Sequence, residues 1–133
     1  MRVVVKIGTS SITTSEGNIN SSAVSALCDE VATLRKLNHE VLIVTSGAVA
    51  GGVAALKLSQ RPTDMLTLQA LAAAGQSRLM QEYNVQLDRH QLVSAQVLLV
   101  PNDFIDRDQY LHARQTLVRL LELGCVPVIN END

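Results

Sequence analysis

Four short apolar runs recur along the chain: Val3–Val5, Val41–Val44, "LVSAQVLLV" before Pro101 and "CVPVIN" near the C-terminus. The stretch between each run and the next has room for at least one helix, and parallel strands need crossover connections of that length. Strand-like runs alternating with helix-like segments imply an α/β fold: a largely parallel sheet, right-handed crossovers and helices on both faces, an αβα sandwich.

The helical segments carry their own start and stop signals. Asn20 can cap a helix whose apolar positions Val24, Leu27, Val31, Leu34 and Leu37 keep helical spacing until Asn38 ends it. Small residues from Ala48 to Ala55 suit a helix packed closely on the sheet. "SQRPTD" interrupts the pattern before Asp64 can cap a long helix running toward Leu87, with Gly75 as a close-packing point inside it. "NDFIDRDQ" reads as a polar loop, and "YLHARQTLVRLLEL" as a helix closed by a left-handed cap at Gly124. Pro127 has no amide hydrogen, which places the last strand at an edge or a bulge.

Composition narrows the function classes. The 133 residues suit one domain, large enough to bury roughly 65–70% of its unfolded surface. A formal charge of −2 gives no basic field for a nucleic-acid backbone or an anionic membrane, and 2% aromatic content supplies few platforms for base stacking. No segment has the apolar length of a membrane span or the build of a signal peptide, so the expected location is the cytoplasm. Cys28 and Cys125 lie far apart within apolar patterns and read as inert core thiols, and His39 and His90 as solvated surface residues. No metal-ligating cluster stands out.

In open parallel sheets, ligands bind beyond the carboxyl ends of the strands. The first run is followed by Lys6 and then a turn through Gly8 into Thr9, Ser10 and Ser11, and the second by Thr45, Ser46 and Gly47. Asn102 and Asp103 follow the third, and Asn130, Glu131, Asn132 and Asp133 the fourth. All four clusters are expected on one rim. Glycines and hydroxyls at the first two suit an anion, and "NEND" supplies acceptors and amides suited to an amino acid's ammonium and polar groups. Neither G-x-x-x-x-G-K-[ST] nor G-x-G-x-x-G occurs, so a Walker loop and a dinucleotide fold are both unsupported.

"VVVKIGTSS", "VLIVTSGAVAGG", "ALAAAGQSRLM", "DRDQYLHARQTL" and "VPVINEND" together resemble the amino acid kinase family, in the family's order and along nearly the whole chain. Related kinases commonly carry a Gly-Gly pair after the first strand, whereas Thr9 and Ser10 follow Gly8 here, which resembles the glutamate 5-kinase branch. The resemblance implies ATP-dependent phosphorylation of the side-chain carboxylate of L-glutamate at the start of proline synthesis, with Mg2+ accompanying ATP. It implies that Lys6 lies against the transferring phosphoryl group, that Gly8, Thr9 and Ser10 line the phosphate path, and that Ser46, Gly47, Asn130 and Asp133 hold glutamate. It also implies a mobile loop near "PNDFIDRDQYLH", proline as feedback inhibitor and a homo-oligomer; His112 stands where the family more often has asparagine.

A complete domain of this family continues for about as many residues again, carrying the nucleotide pocket, and many members add a PUA domain. The expectation is therefore an amino-acid-binding portion of a kinase domain that is incomplete at the C-terminus and inactive alone. A non-catalytic glutamate-binding or oligomer-forming module and a kinase for another small carboxylate are the alternatives.

Overall fold

The computed structural model describes residues 1–99 and 102–131. Four parallel strands form one sheet: β1 (Arg2–Ile7), β2 (Glu40–Thr45), β3 (Ser94–Val97) and β4 (Val126–Asn130), in the spatial order β1-β2-β4-β3. Between them run α1 (Thr9–Ile12), α2 (Ser21–Lys36), α3 (Ala48–Ala55), α4 (Met65–Asp88), α5 (Asn102–Ile105) and α6 (Arg107–Glu122). The steps β1 to β2 and β2 to β3 move across the sheet in one direction, and the step β3 to β4 moves back. Right-handed crossovers therefore place α2 and α4 on one face and α6 on the other.

The main core lies on the α2/α4 face. Val24, Cys28 and Val31 of α2 and Leu79, Tyr83 and Leu87 of α4 close over Val41, Ile43, Val126 and Val128 of the sheet, all fully or almost fully buried. Each buried leucine there contributes about 1.5–3 kcal/mol, so packing rather than end-capping sets the stability of these helices. The expected caps are nevertheless present: the side chains of Asn20 and Asp64 accept from the backbone N–H of Ala23 and Thr67. Asn38 (φ 65°) and Gly124 (φ 87°) end their helices in the left-handed region. On the opposite face α6 packs on β4, while Val4 of β1 stays 61% exposed. Among the described residues, no helix is long and apolar enough to cross a membrane.

Four local expectations need correction. The hydroxyl run after Gly8 is the short helix α1 rather than a plain turn. The third strand is confined to Ser94–Val97, with Leu98 and Leu99 outside it and residues 100 and 101 beyond the described part. The "NDFIDRDQ" loop holds α5 and the start of α6, because Asp106 caps α6 by accepting from the N–H groups of Asp108 and Gln109. Pro127 lies in an interior strand. Val126 N–H donates to Val93 O on the β3 side, so by alternation the Pro127 nitrogen faces β2, where pairing starts only at Ile43↔Val128.

His90 is also not a free surface residue. Asp29 Oδ1 accepts from His90 Nε2 at 2.7 Å and from Arg89 Nη2 at 2.7 Å, tying α2 to the end of α4. The hydrogen bond from His90, and next that from Arg89, hold the Asp29 carboxyl below its ordinary value. A depressed carboxyl stabilises the fold above its unfolded pKa, and that contribution disappears as pH falls through the folded value. Asp29→Asn should therefore melt below wild type at neutral pH and together with it once carboxylates are protonated. A melting gap that persists in acid would show that the ionised carboxylate is not what matters.

Candidate functional site

Lateral register assembles the site. Ile7 pairs with Thr45 and Thr45 with Asn130, so β1, β2 and β4 end in one row. Two further bonds extend it: Ser46 N–H donates to Ile7 O at 3.0 Å and Glu131 N–H to Thr45 O at 2.7 Å. Three of the four polar clusters consequently meet. From the third cluster, Asp103 lines a different cavity of about 470 Å³ with Leu98, Asp108 and His112.

Beyond the row lies a small cavity of about 50 Å³, lined by Thr9, Ser46, Gly47, Ala48, Val49, Ala50, Arg61 and Glu131. Gly47 caps α3, so the cavity wall is the first turn of a helix, where four N–H groups lack intrahelical acceptors and carry partial positive charge. Gly47 adopts φ 110°, and a Cβ there would sit 3.1 Å from Ile12 Cδ1; only glycine makes this turn without strain. Ser46 is 6% exposed and its hydroxyl makes no hydrogen bond to a described residue. A buried hydroxyl beside unsatisfied N–H groups is suited to a small oxyanion such as a carboxylate.

Lys6, the penultimate residue of β1, places Nζ 3.4 Å from Glu131 Oε2 with its side chain 69% exposed. An ion pair this open is worth about 0–1 kcal/mol, so a more highly charged partner could displace Glu131 at little cost. Gly8 caps α1 with open space where a Cβ would stand, and Ser10 is exposed. Both flank the cavity without lining it; Thr9 does line it. Asn130 ends β4 and donates through Nδ2 to Gln76 Oε1 of α4. Asp133 lies outside the described residues.

Arg61 and two pairings, Lys6 with Glu131 and Tyr83 with Thr45, escape a local reading of the sequence. Arg61 sits in "SQRPTD", legible only as a helix breaker, yet the loop brings it to the cavity as a second cation. Glu131 pairs with Lys6 across 125 residues of chain, although its place in "NEND" at a strand end was a clue. Tyr83 and Thr45 form a buried hydrogen bond of 2.9 Å beneath the rim. Among the described residues, no group of three or more His, Cys, Asp or Glu side chains comes together as a metal site. Cys28 is buried, and desolvation pushes its thiol up to about 12, which keeps it protonated and unreactive.

The glutamate 5-kinase of Thermobifida fusca is 48% identical over 132 residues, covering 99% of this chain and 34% of that protein. That of Streptococcus pneumoniae (strain Hungary19A-6) is 45% identical over 132 residues, covering 99% of this chain and 36% of that protein. The chain thus spans about a third of the length of the curated relatives it matches. Its fold is similar to that of T. acidophilum isopentenyl phosphate kinase in a product complex, with a TM-score of 0.63, 17% identity, and coverage of 100% of this chain and 57% of that one. A profile of the amino acid kinase family matches residues 1–133, and the chain belongs to that family.

Proposed function

We propose that this chain forms the amino-acid-binding part of an ATP-dependent kinase that converts L-glutamate to L-glutamyl 5-phosphate, the first step of proline biosynthesis, in the cytoplasm. The observation that carries the reading is the oxyanion-sized cavity at the start of α3, with Lys6 at the neighbouring strand end and Arg61 in the cavity lining. The names of the relatives support the choice of glutamate. Ser46 and Gly47 hold a substrate carboxylate, Asn130 supplies an acceptor for the ammonium, and Asp133 completes the set. Proline as feedback inhibitor and assembly into a homo-oligomer belong to the same proposal.

The chemistry asks little of a general base, because the attacking carboxylate is already ionised at neutral pH. One carboxylate oxygen forms a bond to the γ-phosphorus of ATP as the bond to the β,γ-bridging oxygen breaks, and ADP leaves with that electron pair. Alignment and charge compensation dominate such a transfer. Lys6, released from Glu131, offsets charge on the moving phosphoryl group, and Gly8, Thr9 and Ser10 lie along its path. Mg2+ accompanying ATP would supply further neutralisation of charge at the phosphates, a contribution separate from that of Lys6.

Calorimetric titration of the full chain with L-glutamate tests the reading. Ser46→Ala and Arg61→Ala should each weaken binding about tenfold, the low end for losing a hydrogen bond to a charged group. Absence of binding, or full affinity in both variants, would remove the carboxylate from this cavity.

A further inference from the structure

Beneath the rim runs a directed chain of hydrogen bonds. Tyr83 OH of α4 donates to Thr45 Oγ1 at 2.9 Å, and Thr45 Oγ1 donates to Ser46 O at 2.9 Å. Tyr83 and Thr45 are both 0% exposed, so no water competes for either bond. Burial pushes the Tyr83 phenol up to about 12, and it therefore remains a donor at any physiological pH. Two linked hydroxyl bonds in a dry environment polarise and fix one another.

The consequence follows from peptide geometry. The Ser46–Gly47 peptide is planar and trans, so its C=O and N–H point in opposite directions. With Ser46 O held inward by Thr45, the Gly47 N–H faces outward, where Ser46 and Gly47 line the cavity. No described residue accepts from it. Gly47, at φ 110°, lies where glycine has more than one accessible orientation, so an unheld peptide could turn.

We propose that Tyr83 and Thr45 are positioning residues that hold the Ser46–Gly47 peptide with its N–H turned toward the bound carboxylate. The proposal rests on the reading of this cavity as the carboxylate site. It gives the contact between α4 and the strand end a role in ligand affinity, at residues that never touch the ligand.

The test is the affinity of the full chain for L-glutamate by calorimetry, with melting temperature recorded for each variant. Thr45→Val removes the relay at nearly constant volume and should weaken binding about tenfold. Tyr83→Phe removes only the outer donor and should weaken it about threefold, while Thr45→Ser, which keeps the hydroxyl, should bind within twofold of wild type. A merely structural contact would lower the melting temperature of Thr45→Val and Tyr83→Phe and leave the affinity of the folded protein unchanged; that result overturns the proposal. Ser46→Ala separates the two levels. Weakened binding there with full affinity in Thr45→Val overturns the relay alone, and full affinity in both Ser46→Ala and Arg61→Ala overturns the carboxylate site and the relay with it.

Discussion

Lys6→Met in the complete kinase should lower turnover by about 100-fold or more, equivalent to about 2.7 kcal/mol of transition-state stabilisation. The magnitude is that of a positioned charge facing a group whose negative charge is redistributed during reaction. A structural explanation would be weak: the Lys6 side chain is 69% exposed and, among the described residues, pairs with Glu131, itself 41% exposed, at 3.4 Å. Losing such a pair costs about 0–1 kcal/mol, so the variant should melt near wild type and bind glutamate with similar affinity. The split is therefore diagnostic: turnover collapses while melting and glutamate binding hold. Turnover near wild type would dismiss Lys6 from the transfer step, and a parallel loss of glutamate affinity would make it a substrate anchor instead.

Local chemistry made much of the fold legible. Asn20 and Asp64 cap as expected because capping depends on residues within one turn, and Gly124 closes its helix for the same reason. The polar character of "DRDQ" misled for an equally local reason. A capping aspartate followed by a solvated first turn looks like a loop until the acceptor role of Asp106 is seen. Pro127 shows a different limit: its tolerance in an interior strand depends on β2 pairing beginning one residue later, a fact of register between distant segments.

The site divides in the same way. Lys6, Ser46, Gly47 and Asn130 were placed on the rim by their position within a residue or two of a strand end, and the rim of a parallel sheet is where such residues gather. Arg61, the Lys6–Glu131 pair and the Tyr83–Thr45 bond are products of tertiary packing across loops and helices. Asp103, carried on α5 beyond the end of β3, lines a different cavity, a placement that local patterns do not encode.

Gly75→Ala should destabilise the fold by about 2 kcal/mol or more, against the expectation from helix propensity alone. Alanine is favoured over glycine inside a helix by about 1 kcal/mol. At Gly75, however, the added Cβ would stand 2.5 Å from Gly52 N and 2.8 Å from Ala48 C, with Ala48 O nearer still. These are backbone atoms of α3, so no side chain can rotate away, and relief requires α3 to move off α4. Overpacking of this kind typically costs 1–3 kcal/mol and occasionally more, and direct backbone overlap belongs at the upper end. The steric term wins, with an expected fall in Tm of roughly 10 °C. Because α3 begins at Gly47 in the cavity wall, its displacement should weaken glutamate binding as well. Gly8→Ala is the matching control, since nothing lies within 4 Å of a Cβ there and the backbone sits at φ −86°. That variant should melt like wild type. A Gly75→Ala protein that melts at or above wild type would mean that α3 and α4 separate at little cost, and the close backbone contact would no longer account for the glycines along this interface.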